Sequence, residues 1–211
     1  SVCNGALVLD LNTKRIIYRN SIRKQDMQAI LPFLETPELF FQLYIGSENY
    51  RDRRLDKLYH QYFPKRSDSD RIAHIVPDIR EFLWNSPPGT DTAVDKIFAY
   101  CPDTQRLAQV RAQISQRKTV HLTSSNIKNF EVTNQGITKA VGLQQLCSYL
   151  GVDKKDTLAI GDSENDLDML RFAGISVAMG NATQTVKACA DYITDSNDQD
   201  GIAHALQHFL K

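Results

Sequence analysis

The sequence predicts an α/β protein in which a parallel-sheet core is joined to an α+β unit. Three observations lead there. Helix-patterned and β-rich segments alternate strictly after Gly136, as parallel βαβ crossovers do. The preceding stretch carries strands too close in sequence for crossover helices, so its pairing should be largely antiparallel. The 211 residues, 42% of them hydrophobic, suffice for one large core or two smaller ones.

Leu7-Val8-Leu9 and Ile16-Ile17-Tyr18 flank the polar run from Asp10 to Lys14, the pattern of a hairpin. Ser21 is placed to cap a helix whose Ile22, Met27, Ile30, Leu31 and Leu34 recur at helical spacing, ending near Pro37. Phe40 to Ile45 reads as a strand. A helix through Leu55, Leu58, Tyr59 and Phe63 follows, then a strand from Ile72 to Val76 and a short helix through Ile79, Phe82 and Leu83. A strand from Lys96 to Cys101, a helix starting at Asp103 and strands near 119–123 and 130–133 complete this part, with Ser, Pro and Gly loops between the pieces. The alternating region then reads as helix 138–150, strand 157–160, helix 165–172, strand 175–178, helix 183–190, strand 192–194 and helix 201–210. Gly151 and Gly174 stand where left-handed helix ends place glycine.

Composition narrows the partners. Lys plus Arg and Asp plus Glu both number 25, so no charge excess points to nucleic acid or an anionic membrane surface. Any anion recognition must be local. The four cysteines, Cys3, Cys101, Cys147 and Cys189, form no CxxC pair and have no His at zinc-ligand spacing, which fits a reduced, cytoplasmic protein. No apolar run approaches the roughly 20 residues that span a bilayer.

The informative run is Thr157-Leu158-Ala159-Ile160-Gly161-Asp162-Ser163-Glu164-Asn165-Asp166. A buried strand delivers Gly161 and Asp162 to its carboxyl end, where open α/β sheets bind ligands. Gly161 would permit a tight turn into a helix whose first N–H groups are unpaired. With the helix starting near Ser163, Asp162 and Asp166 lie one turn apart and can address one hard cation such as Mg²⁺ together, directly or through water. Asn165 can offer an amide donor to phosphate. Acids at a helix start also serve simply as caps, and Asp168 is assigned to that class. Lys139 follows Thr138 at a helix start, where a cation opposes the helix dipole and a phosphate partner would explain it.

Phe130-Glu131-Val132-Thr133, Gly136-Ile137-Thr138-Lys139, Gly161 to Asp166, Val177 to Ala182 and Ser196 to Gly201 together resemble the later motifs of Cof-type haloacid dehalogenase-like phosphatases. Asn4-Gly5-Ala6 resembles the segment that leaves the core just before an α/β cap of type IIB. The resemblance implies a Rossmann-like core with an inserted α+β cap, divided as a core segment and hinge at 1–18, the cap at 19–133 and the core with metal and phosphate motifs at 134–211. It also implies Mg²⁺ as cofactor, Asp162 as metal ligand, Asp166 as supporting acid and metal ligand, Lys139 as phosphate-binding lysine, Asn165 as phosphate contact and Asn4 on the hinge and substrate side. Lys139, Asp162 and Asp166 are thereby the candidate catalytic residues.

The family's first motif, Asp-x-Asp-Gly-Thr, supplies a nucleophilic Asp and an acid–base Asp, and neither it nor the second motif occurs in this sequence. The opening residues already read as strand and turn, so the resemblance implies a core incomplete at its N-terminus, with the nucleophile upstream. An absent central strand would leave a parallel-sheet edge open to pairing with another chain. Asp10-Leu11-Asn12-Thr13 imitates the first motif, but Asn12 cannot exchange protons, and a turn is the better reading. Asp68-Ser69-Asp70 reads as a solvated loop. Tyr44, Tyr50, Tyr59 and Trp84 suit core or rim packing as well as a substrate face.

The function expected is therefore Mg²⁺-dependent hydrolysis of a small phosphorylated metabolite, such as a sugar phosphate, through an aspartyl phosphate. A chain that binds a phosphorylated ligand or a partner without turnover, or a phosphomutase, is the alternative. Neither nucleic acid nor membrane is expected as a partner, and composition leaves the oligomeric state open.

Overall fold

The structure, a computed structural model, describes residues 1–64 and 73–210. Two compact units emerge: unit 1 from Ser1–Tyr18 with the chain from Ile137 onward, and unit 2 from Arg19–Gly136. Unit 1 begins with a 3₁₀ turn, Cys3–Gly5, and the hairpin strands β1 (Leu7–Leu9) and β2 (Ile16–Arg19). The Asp10 carboxylate accepts from the backbone N–H groups of Asn12 (2.9 Å) and Thr13 (3.1 Å), so the motif-like Asp10 shapes the hairpin turn.

Unit 2 follows as α1 (Lys24–Leu34), β3 (Phe40–Ile45), β4 (Glu48–Asp52), α2 (Asp56–Tyr62), β5 (Ala73–Val76), α3 (Ile79–Asn85), β6 (Lys96–Tyr100), α4 (Thr104–Ser115), β7 (Val120–Thr123) and β8 (Asn129–Asn134). Its strands form a six-stranded sheet of order β5-β4-β3-β6-β8-β7. Alternation decides which side chains enter the core: Phe41, Leu43 and Ile45 of β3, Ile97 and Ala99 of β6, and Phe130 and Val132 of β8 join the apolar stripes of α1 and α4. Each large apolar side chain fully buried there contributes about 1.5–3 kcal/mol. The alternate residues Phe40 and Tyr100 make ring contacts with Tyr59, Tyr62 and Phe63.

Strand β4 was not expected. Glu48-Asn49-Tyr50-Arg51-Asp52 looks like a polar loop, yet Arg51 and Asp52 are buried. Ion pairs replace apolarity as the reason for burial: Arg51 lies over the Tyr59 ring and pairs with Asp56 (3.0 Å), and Asp52 pairs with Arg54 (2.6 Å). The ladders are antiparallel except that β4 and β5 run parallel. Ile72, expected to start β5, and the Asp68-Ser69-Asp70 loop lie outside the described residues.

Two further expectations need correction. Ser21 does not cap α1, because its hydroxyl donates to Asp95 (2.6 Å), and the helix starts after Arg23. The chain leaves unit 2 at Gly136 instead of at 133/134: β8 continues to Asn134, whose amide donates to Asn20 (2.6 Å) within the same unit.

Unit 1 resumes with α5 (Lys139–Leu150), β9 (Leu158–Gly161), α6 (Leu167–Phe172), β10 (Ile175–Ala178), α7 (Gln184–Lys187), β11 (Tyr192–Ile193) and α8 (Gly201–Phe209). Strands β9, β10 and β11 form the expected parallel sheet, in the order β11-β10-β9. Among the described strands β9 pairs only with β10, so its other edge is unpaired. Gly151 ends α5 in the left-handed region, as anticipated. Gly174 does not adopt that conformation; a Cβ there would lie 2.1 Å from the Lys155 carbonyl oxygen, so close approach of two backbones demands the glycine.

Two predictions follow from the polar interior of unit 2. The fully buried Asp95 accepts from Arg19 Nε (2.8 Å), Ser21 Oγ (2.6 Å) and the Gly46 N–H (2.7 Å). Asp95→Ala strands all three donors and should cost about 3–5 kcal/mol in chemical denaturation, as expected for one partner removed from a buried pair. Burial pushes the Asp52 carboxyl up, but hydrogen bonds from Arg54 and the Ile79 N–H outweigh it and hold the group below its ordinary value. A depressed carboxyl stabilises the fold above its unfolded value, about 4, and loses that contribution as pH falls through the folded value. Stability measured between pH 6 and about 2 should fall at the acid end, and Asp52→Asn should flatten the fall.

Candidate active site

The loop after β9 holds the expected acids. Asp166 does not project into the open; it turns back on its own loop. Its Oδ2 accepts from the backbone N–H groups of Asp162 and Ser163, both at 3.0 Å, as the acidic half of a capping box. A 3₁₀ turn, Glu164–Asp166, precedes α6, so the helix enters at Leu167, two residues after the expected Asn165. The other oxygen, Oδ1, receives the Lys139 ammonium. Asp166 is buried, with its charge matched by a cation and two N–H donors.

Gly161 lies immediately beneath this carboxylate. A Cβ at Gly161 would stand 2.5 Å from Asp166 Cβ, so the position is small because Asp166 folds over it. Its φ is not positive, so the tight-turn reason inferred from sequence is not the operative one.

Lys139 is the first residue of α5 and carries its ammonium to Asp166 Oδ1 and, at 3.3 Å, to Asn165 Oδ1. The cation that opposes the α5 dipole is thus offset by an acid within the same unit. Residues 26 and 27 positions away in sequence meet it because β9 and α5 place their ends side by side. Asn165 is nearly buried, and its carbonyl oxygen is turned toward Lys139.

Asp162 has a different environment. Its Oδ1 accepts from Ser163 Oγ (2.8 Å) and its Oδ2 from Asn181 Nδ2 (3.2 Å). A carboxylate offers about four lone-pair sites, so each oxygen retains acceptor capacity. Asp162 is half-buried, and both partners are neutral. Asn181 is itself held, since its Oδ1 accepts from the Asn197 N–H (3.0 Å). The loop after β10 closes against β9 through Met179 N–H to Gly161 O (2.9 Å), and against the segment after β11 through Gly180 N–H to Asp195 O (3.0 Å). Ser163 and Asn181 are the residues to which sequence reasoning assigned no role. Asn181 was inside a recognised motif, but only the sheet order reveals that it faces Asp162.

Asn4 lies in the 3₁₀ turn with φ of 54°, a left-handed conformation that asparagine tolerates. The turn packs on α5 closely: a Cβ on Gly5 would meet the Thr138 carbonyl oxygen at 2.2 Å. Asn4 therefore sits in unit 1, beside the helix whose first residue is Lys139.

The donor set can be weighed against a hard divalent cation. Among the described residues no group of three or more His, Cys, Asp or Glu side chains is arranged to hold a metal ion. Mg²⁺ does not need such a cage, because it keeps several waters and takes one or two carboxylates plus substrate phosphate. Asp162, with unspent oxygen capacity, fits one of those positions. Asp166 gives Oδ2 to two backbone N–H groups and Oδ1 to Lys139, so it supports the lysine and the loop.

A model of the haloacid dehalogenase-like hydrolase family matches residues 1–206. The chain belongs to the haloacid dehalogenase-like hydrolases. Within that family it is 42% identical over 102 residues to the 5-amino-6-(5-phospho-D-ribitylamino)uracil phosphatase YcsE of Bacillus subtilis, a match covering 48% of this chain and 41% of that protein. It is 28% identical over 222 residues to the phosphatase YwpJ of the same organism, covering 98% of this chain and 78% of the relative. The aligned stretch is thus less than half of the first relative's length. A solved haloacid dehalogenase-like hydrolase from B. subtilis superposes with a TM-score of 0.80 at 26% identity, over 98% of this chain and 77% of that one. The subclass IIB sugar phosphatase BT4131 superposes with a TM-score of 0.74 at 25% identity, over 98% and 73%.

The contact between Gly161 and Asp166 makes a sharp prediction. Gly161→Ala forces the Asp166 carboxylate away from the Asp162 and Ser163 N–H groups and should cost about 1–3 kcal/mol, the usual penalty of overpacking. A thermal melt unchanged from that of the parent protein would show that the loop yields without strain.

Proposed function

We propose that the protein acts as a Mg²⁺-dependent phosphomonoester hydrolase on a small phosphorylated metabolite such as a sugar phosphate. The observation that carries the reading is the Lys139 ammonium held by Asp166 and Asn165 at the carboxyl end of β9, with the half-buried Asp162 carboxylate on the same loop. Phosphoryl transfer asks for little else from a protein than positioned positive charge around oxygens that carry spread negative charge.

In this reading Asp162 holds Mg²⁺, which supplies charge to the transferring phosphoryl group. Ser163 and Asn181 fix the rotamer of Asp162 by donating to its two oxygens. Lys139 points its ammonium at a phosphate oxygen. Asp166 is a positioning residue that sets Lys139 and ties the loop to two backbone N–H groups. Asn165 orients the lysine and contacts phosphate. Asn4, beside α5, belongs to the hinge and substrate side, and unit 2, Arg19–Gly136, acts as the cap. No Asp-x-Asp-Gly-Thr occurs in these 211 residues, so this reading assigns the nucleophile to none of them.

The relatives give the substrate class its support. YcsE is described as a phosphatase of a phosphorylated ribitylaminouracil, and BT4131 as a sugar phosphatase. Both names denote small polyol or sugar phosphomonoesters.

The test is hydrolysis of p-nitrophenyl phosphate and a panel of sugar phosphates with and without Mg²⁺, for this chain and for a form extended by an Asp-x-Asp-Gly-Thr strand. The extended form should turn over in a metal-dependent manner. Asp162→Ala and Lys139→Ala should each lower kcat by about 10²–10³-fold, as loss of one electrostatic contact does. Metal-dependent turnover that survives Asp162→Ala would remove that residue from the mechanism. Phosphate binding without turnover in both forms would favour a ligand-binding relative instead.

A further inference from the structure

Ser196-Asn197-Asp198-Gln199-Asp200-Gly201, the last of the motif-like segments, reaches Asp162 through an intermediary. It folds as a tight 3₁₀ turn, Asn197–Gln199: the Ser196 carbonyl oxygen accepts from the N–H groups of Gln199 (3.0 Å) and Gly201 (3.1 Å), and Asp200 has a left-handed φ of 54°. α8 then starts at Gly201, whose carbonyl oxygen accepts from the Thr194 hydroxyl (2.7 Å).

Two close approaches fix where this turn sits. A Cβ on Gly201 would stand 2.0 Å from the Asp195 carbonyl oxygen, and one on Gly180 would stand 2.7 Å from the Ser196 nitrogen. The Gly180 N–H also donates to the Asp195 carbonyl oxygen (3.0 Å). Residues 195 and 196 are therefore wedged between the loop after β10 and the start of α8.

The turn presents one donor to that loop. The first N–H of a helical turn has no acceptor within the turn, and the Asn197 N–H donates instead to Asn181 Oδ1 (3.0 Å). A carboxamide has an acceptor end and a donor end. A backbone N–H can only donate, so it fixes Oδ1 toward Asn197 and turns Nδ2 to Asp162 Oδ2, at 3.2 Å. Asn181 is exposed, and without this anchor water would compete for both ends while the side chain sampled other rotamers. The Asn197 side chain is turned to Asp198 Oδ1 (3.1 Å), so the contact with Asn181 belongs to the main chain.

We propose that the main-chain N–H of Asn197 is a positioning element of the cation site: it aligns the Asn181 carboxamide, which in turn holds the Asp162 carboxylate ready for a divalent cation. The inference rests on the reading of Asp162 as a Mg²⁺ ligand and extends the site to the turn before α8.

Titrating Mg²⁺ into the whole chain, while following the Asp162 and Ser163 amide signals by nuclear magnetic resonance, measures binding without turnover. Asn181→Ala should weaken Mg²⁺ about tenfold or more, as loss of a group that orients a metal ligand does. Asn197→Ala keeps the main-chain N–H and should bind as the parent does. Asn197→Pro removes that N–H at a position suited to proline, the first of a turn after an extended Ser196 (φ −71°, ψ 167°). It should weaken Mg²⁺ about three- to tenfold, the worth of one hydrogen bond. In an Asn181→Ala background the same proline should have no further effect, because the N–H acts through the carboxamide. A proline that merely disturbed the fold would weaken binding equally in both backgrounds, and that result overturns the proposal. Equal affinity in Asn197→Pro and the parent overturns it too, while leaving the Asp162 assignment intact. Absence of any Mg²⁺-dependent shift at Asp162 and Ser163 in the parent overturns the cation assignment and this inference together.

Discussion

The carboxylate of Asp166 is the contact on which the arrangement of the candidate site depends. One oxygen takes the first two N–H groups of the loop and the other takes the Lys139 ammonium, so a single side chain joins the end of β9 to the start of α5. The geometry is possible only because Gly161 has no Cβ. Asp166 meets a cation and backbone donors, while its neighbour Asp162 meets two neutral donors. Two acids four residues apart thereby acquire different surroundings.

The same economy of charged groups recurs in unit 2, where polar contacts settle pieces of backbone that apolar packing does not. Asp95 binds the entering segment at Arg19 and Ser21 and the β3–β4 turn at Gly46. Asp52 binds Arg54 and the start of α3 through the Ile79 N–H. Each is buried with several partners, the condition under which a buried charge is tolerated. The Trp84 indole is the contrast, a buried donor without a hydrogen-bond partner among the described residues.

Much of this was legible in the residues. The parallel order of β9, β10 and β11 follows from helices and short β-rich runs in alternation, because a parallel pair requires a crossover. The apolar faces of α1 and α4 follow from spacing. Strand β4 escaped because its buried residues are Arg51 and Asp52, and hydrophobic periodicity cannot register burial that depends on an ion pair. The start of α1 was misplaced because Ser21 resembles a cap, and its true acceptor, Asp95, lies 74 residues away. Gly174 was read by its place after a helix, whereas the backbone of Lys155 passing over it is what excludes a side chain.

By itself the sequence determined that a strand would deliver Gly161 and Asp162 to a loop rich in oxygen ligands, since strand length, the glycine and the acids are all local properties of the chain. Spacing also brought Asp166 into that loop, and the motifs together pointed to the family to which the chain belongs. Only the tertiary structure decided that Asp166 would be consumed by Lys139 and two backbone N–H groups while Asp162 would lean on Ser163 and Asn181. Two of those partners, Lys139 and Asn181, come from a helix and a loop that the fold brings beside β9. Sequence reports which groups are available, but a carboxylate's role depends on which donors reach it first, and that is a property of packing.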